Sequence, residues 1–241
     1  MIEDVFIDLP FKPMGNTASQ VNSLLLSALL ERARDQLDRK SVDAQARVDT
    51  GRPERVLLIG GPGQGKSTVS QFMAQILRAN ALRSDRPGRY APEIQRIIDG
   101  TLVAVSSIVD DRPLPRRIPF RIDLPSFADR LSASTDGRLT LLRYLANEVS
   151  KVADAEIDIE DIRRWIMEQP TGFLLDGLDE VPPSANRTAV VRAISEFWDE
   201  VLEADLQMVV TTRPQGYNDD LDPDLYVCNV GDLARHHFMS L

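Results

Sequence analysis

The sequence predicts an α/β fold with three layers: a central, mostly parallel sheet with helices on both faces, plus an N-terminal helical arm. Three observations predict it. Residues 56–59 (VLLI) form an uninterrupted aliphatic run, which suits a strand buried on both faces. A glycine-rich stretch follows, and then Val69, Phe72, Met73, Ile76 and Leu77 recur at helical spacing. Further apolar runs at 118–124 (IPFRIDL), 172–175 (GFLL) and 206–212 (LQMVVTT) alternate with helix-period segments, the order that builds a parallel sheet.

In chain order, residues 4–12 read as a short strand ended by Pro10 and Pro13. Val21, Leu25, Ala28, Leu29 and Ala33 predict a helix running towards residue 46. It is expected to be an arm (1–50) outside the main domain (51–230). Gly51 and Pro53 break the chain before the first core strand. Residues 83–117 mix turn, helix and strand signals and are expected to be an insertion at the domain edge. Within and beside it, Arg112, Arg116, Arg117 and Arg121 suggest a basic patch or, as the stronger expectation, a solvated loop. Helices are predicted over 138–151 and 158–167. Val190, Ile194, Phe197, Trp198 and Val201 mark another. Residues 231–241 are taken as the start of a helical region that the chain truncates.

Composition narrows the chemistry. The 241 residues suffice for one sizeable α/β domain. A net charge of −9 gives no bulk basic surface, so nothing points directly to nucleic acid. The single cysteine, Cys228, excludes a disulfide framework within the chain and fits a reducing compartment. His236 and His237 are adjacent, so they point in different directions and do not suggest a shared metal site. The start, MIEDVFIDLPF, is acidic and unlike a secretory signal, and no apolar run approaches membrane-span length. A cytoplasmic location, with no membrane partner, is the expectation.

Gly60, Gly61, Pro62, Gly63, Gln64, Gly65, Lys66 and Ser67 spell G-x-x-x-x-G-K-S between the first core strand and its helix. Glycines let the backbone turn tightly and aim several N–H groups inward. Those groups, with the positive end of the following helix, suit phosphate oxygens. Lys66 is placed to reach the β- and γ-phosphates of a nucleotide. The Ser67 hydroxyl is placed to ligate Mg²⁺, with Thr68 beside it. Mg-ATP, or another Mg-nucleoside triphosphate, is the expected ligand.

A second signal is FLLDGLDE at 173–180. Asp176, at the end of an apolar strand, is expected to hold Mg²⁺ through water, and Gly177 to leave room beside it. Asp179 or Glu180 is expected to orient the attacking water, with Glu180 the first choice. So many carboxylates close together repel one another, and a divalent cation offsets that repulsion. A third signal is VVTTRP at 209–214. Arg213 at that strand end could reach the γ-phosphate, or else pair with a local carboxylate; ligands of open α/β sheets sit at such ends. Residues near Arg52 and Arg55 are candidate neighbours of the base.

The order GGPGQGKST, IPFRIDL, FLLDGLDEVP, VVTTRP resembles the P-loop NTPases of the NACHT type, in the STAND class, over roughly residues 50–230. The DGLDE string is its most specific part. That resemblance implies a signalling switch: ADP holds a closed monomer, and exchange for ATP lets it self-associate under control of a C-terminal sensor or another protein partner. Slow ATP hydrolysis is implied, and a role in innate immunity or anti-phage defence. Family members continue into a winged-helix region and a sensor, so the chain is expected to be a fragment of a longer protein. The alternatives are a nucleotide-dependent assembly scaffold without useful hydrolysis, an AAA+-type motor and, least favoured, a small-molecule kinase.

Overall fold

The computed structural model describes residues 10–13, 23–42, 54–85, 90–106, 108–109, 113–134, 139–182, 185–216 and 226–230. Seven strands form one sheet: β1 (Pro10–Pro13), β2 (Ser23–Leu24), β3 (Glu54–Ile59), β4 (Ile118–Asp123), β5 (Thr171–Asp176), β6 (Leu206–Thr212) and β7 (Tyr226–Val230), in the order β2-β1-β7-β3-β6-β5-β4. The run from β7 to β4 is parallel throughout. β1 runs antiparallel to both β2 and β7. The sheet is thus mostly parallel, in a mixed α/β fold.

The described helices are α1 (Leu25–Val42), α2 (Lys66–Asp85), α3 (Pro92–Ser106), α4 (Leu124–Ala133), α5 (Leu141–Ala153), α6 (Ile159–Glu168) and α7 (Ala185–Glu200). Local chemistry starts several of them. The Asp123 carboxylate accepts from Ser126 N at 3.0 Å and caps α4. Thr140 and Asp158 do the same for α5 and α6.

Strand periodicity sorts the core into two layers. Leu57, Ile59, Phe173, Leu175, Met208 and Val210 point to one face, against α4, α5, α6 and α7. Val56, Leu58, Leu174 and Val209 point to the other, against α1, α2 and α3. Phe173 joins the first layer laterally, with ring centroids 5.0 Å from Phe120 and 4.9 Å from Phe197. Burying a side chain of this size contributes about 2 kcal/mol, so both faces matter to stability.

Two expectations need correction, and a third gains an element. The helix read as an arm is part of the core: Leu25, Leu26, Leu29 and Leu30 are buried in the second layer. An amphipathic helix with a leucine stripe lowers its free energy by covering a bare sheet face. Within the stretch read as an insertion, residues Pro92–Ser106 form α3, docked on α2 where Gln75 Nε2 donates to Thr101 Oγ1 at 2.8 Å. Second, two of the four arginines belong to no patch or solvated loop: Arg117 is fully buried, and Arg121 pairs with a carboxylate. Arg116 is exposed, and Arg112 lies outside the described residues. Arg117 Nη2 donates to Asp205 Oδ1 at 2.9 Å and to Ala33 O at 2.9 Å, and Nη1 to Thr171 O at 3.2 Å and Asp205 O at 3.0 Å. The planar guanidinium thereby ties α1 to the N-terminal ends of β5 and β6.

Several elements lacked a sequence signal, β2 at Ser23–Leu24 among them, where a helix was expected. β7 is short and carries Asn229, and it is held by pairing along β3 from Val56↔Tyr226 to Ile59↔Asn229. α4 begins where β4 ends, so the strand pattern masks it. The end of the first expected strand is β1, with Pro10 and Pro13 as its terminal residues, where a missing N–H costs least. Residues 4–9 lie outside the described residues, as do His236 and His237. Among the described residues, no helix is long and apolar enough to cross a membrane.

Candidate functional site

Parallel pairing brings the C-terminal ends of the central strands to one edge. Ile59 is level with Thr212, Leu175 with Val210, and Asp176 with Asp123. The residue period of two then decides the face. Asp176 follows Leu174, and Thr211 follows Val209, so both lean to the side of α2, as does Arg121 between the oppositely directed Phe120 and Ile122.

The glycine-rich loop joins β3 to α2 at this edge. Gly63 (φ 72°) and Gly65 (φ 76°) occupy the left-handed region that a side chain disfavours. Gly60 N donates to Thr212 O at 3.1 Å, stitching the loop to β6. The Gln64 side-chain oxygen accepts from Gly61 N. Lys66 opens α2 and curls back, with Nζ donating to Gly60 O at 2.7 Å and Gly61 O at 3.1 Å. No acidic residue lies in the first turn of α2, so the helix dipole and the lysine form an electropositive lip. Pro62, Gly63, Ser67 and Thr68 are exposed. Thr68 therefore faces solvent rather than packing.

Asp176 is nearly buried, at 4% exposure, and is the hub of the site. Its Oδ1 accepts from Ser67 Oγ at 3.0 Å and Thr211 Oγ1 at 2.6 Å. Its Oδ2 accepts from Arg121 Nη2 at 2.7 Å. Thr211 in turn accepts from Gly177 N at 2.9 Å. Gly177 sits at φ 84°, so a left-handed turn, more than spare room, requires glycine there. That turn starts the short 3-10 segment Leu178–Glu180.

Arg213 adopts the second of its two expected arrangements. Its Nε bonds Asp179 Oδ2 at 2.7 Å, and Nη2 lies 3.8 Å from Glu180 Oε1. The Asp179 side chain is 8% exposed and that of Glu180 58%. Asp179 is thus an anchor for Arg213, whereas Glu180 can turn towards solvent. Lys66 is held below the ordinary lysine value chiefly by burial, with Asp179 pulling it up and Arg213 pushing it down.

The residues read from the sequence converge: Lys66, Ser67, Asp176, Asp179, Glu180 and Arg213 share one edge. Lys66, Arg121 and Arg213 offset the charges of the three carboxylates. Sequence reading missed Arg121 and Thr211 as site residues. Thr211 carries a weak signal, one residue before a strand end; Arg121 carries none, because strand register places it. Arg55 is at the opposite end of β3, stacked over Trp198 at 4.1 Å from the ring centroid. Arg52 lies outside the described residues.

No group of three or more His, Cys, Asp or Glu among the described residues could hold a metal ion by itself. The donor set present is a hydroxyl and a carboxylate. Such hard oxygen ligands fit Mg²⁺, which keeps several waters and takes further oxygens from phosphate. The Ser67 hydroxyl donates its proton to Asp176 and so keeps its lone pairs free for a cation.

Comparison with known proteins returned no matching family model and no matching curated protein.

Proposed function

We propose that this chain is a nucleotide switch domain of the P-loop NTPase group that binds Mg-ATP and hydrolyses it slowly, in the manner of the NACHT type of the STAND class. The observation that carries this reading is the hydrogen bond between Ser67 and Asp176, residues 109 positions apart in sequence. It joins the phosphate-type loop to the acidic strand end, the two halves of a metal–nucleotide site.

The roles follow from position. The loop N–H groups and Lys66 bind the β- and γ-phosphates. Ser67 and Asp176 would hold Mg²⁺, which neutralises phosphate charge when bound. Glu180, the exposed carboxylate, accepts a proton from the attacking water and orients it. Arg213, released from Asp179, reaches the γ-phosphate and reports its presence. Self-association on ATP binding, control by a protein sensor, a cytoplasmic setting and a defence role rest on the motif resemblance described above.

Turnover tests this reading. Wild-type protein is expected to retain ADP through purification and to release phosphate slowly from Mg-ATP, with no phosphorylated acceptor. Glu180→Gln should keep nucleotide affinity within about threefold and slow phosphate release by about 100-fold or more. Unchanged release in Glu180→Gln would remove that residue from the water-orienting role. A second reading, a nucleotide-dependent scaffold without useful turnover, is favoured by the Arg213–Asp179 pair, which occupies one of the two candidate carboxylates. It predicts binding with no release in the wild type.

The depressed Lys66 gives a pH signature. Phosphate raises the lysine's pKa in the complex, so between the free and bound values the complex holds a proton that the free protein lacks. Affinity therefore falls by about tenfold per pH unit once pH passes the free-protein value. Burial moves that onset below where an ordinary lysine would place it. Fluorescent-nucleotide titrations across alkaline pH should show the loss in wild type, and Lys66→Arg should flatten it.

A further inference from the structure

Arg121 is assigned neither phosphate nor metal above, yet it bonds the most buried carboxylate of the site. Its side chain is 35% exposed while that of Asp176 is 5% exposed, with 2.7 Å between Nη2 and Oδ2. β4 pairs with β5 in the register Arg121↔Leu174. The arginine therefore reaches diagonally forward, two residues along the neighbouring strand, to meet Asp176 at the sheet edge. Ser67 and Thr211 hydroxyls supply only neutral donors to the other oxygen. Among the described residues Arg121 is the one cation hydrogen-bonded to Asp176, while Lys66 acts on it through space.

From this geometry we infer that Arg121 is a charge-compensating residue, which sets how far nucleotide binding at this site depends on a divalent cation. The inference rests on the nucleotide reading above and deepens it. A lone aspartate beside Ser67 would repel the β- and γ-phosphates. A divalent cation removes that repulsion when present, and Arg121 removes it in part at all times. The arginine also opposes the cation, because both draw on the same carboxylate. Its net effect is to raise affinity for metal-free nucleotide and to leave affinity for the Mg²⁺ complex unchanged or slightly reduced.

Fluorescent ATP titrated into the purified chain in excess EDTA and in excess Mg²⁺ gives two dissociation constants, and their ratio is the readout. In Arg121→Gln, affinity in EDTA is expected to fall by about tenfold, with the Mg²⁺ value within about threefold of wild type. Arg121→Lys, which keeps the charge without the planar fork, should recover most of the EDTA affinity. Adding Asp176→Asn to Arg121→Gln should also recover it, because the uncompensated charge is gone; the two substitutions are then non-additive. Equal losses in EDTA and Mg²⁺ would mark Arg121 as a direct phosphate ligand or a packing residue, and would overturn the inference alone. The same holds if Arg121→Lys behaves like Arg121→Gln in the ratio. Absence of binding by the wild type in both media overturns the nucleotide reading and this inference with it.

Discussion

Lys66→Ala is expected to cost about 3 kcal/mol of nucleotide binding, roughly a 100-fold loss of affinity. The side chain is already curled into the loop by its bonds to Gly60 O and Gly61 O. Little rotamer entropy remains to be lost when phosphate arrives, so most of its electrostatic contribution appears as affinity. Truncation also removes a loop cation on which Asp176, Asp179 and Glu180 act electrostatically. The carboxylates then repel the ligand more strongly. Isothermal titration with Mg-ATP and Mg-ADP would measure the effect. An affinity within threefold of wild type would show that the loop does not take phosphate in the proposed way. The variant should keep the wild-type melting temperature, since Lys66 is partly exposed and packs into neither core layer.

Arg117→Ala should have the opposite profile, a large stability loss without a direct effect on ligand contacts. Arg117 is fully buried and bonds Asp205, Thr171 and Ala33. Removing it leaves the Asp205 carboxylate, 12% exposed, without this partner. Loss of one member of a buried ion pair costs about 3–5 kcal/mol, a large share of the 5–15 kcal/mol that a domain has in total. Thermal unfolding should begin about 10 °C lower. Arg117→Lys keeps a charge but cannot fork between three carbonyls and a carboxylate, so it should recover only part of the loss. A melting temperature within 2 °C of wild type for Arg117→Ala would show that the α1 junction is held by the leucines alone.

Lys66 is readable from residues in order, and the burial of Arg117 is not. The glycine loop was legible because its chemistry is local: eight consecutive residues carry the turn, the cation and the hydroxyl. The strand ends at Asp176 and Arg213 were legible because an apolar run stopping at a charged residue is also a local pattern. β6 matches its expected limits of 206–212, and β4 and β5 differ from theirs by a residue at their ends. Within 83–117, by contrast, α3 was hidden by β-branched residues such as Val103 and Val105, which favour strand locally but are accommodated on a helix docked against α2. Arg117 and Arg121 read alike in sequence, as members of a basic cluster. Four residues apart, they end at opposite ends of β4, one under α1 and one at the functional edge.

By itself, then, the sequence determined the alternation of strands and helices, the glycine-rich loop and the acidic and arginine-bearing strand ends, because each depends on residues within a few positions of one another. Only the tertiary structure decided which of these meet. The parallel register of β3, β6, β5 and β4 put Ser67 against Asp176, Arg213 against Asp179 and Arg121 beside them. It also drew α1 into the core, because a sheet face lined by Val56, Leu58, Leu174 and Val209 has to be covered, and the leucines of α1 are among the residues that cover it.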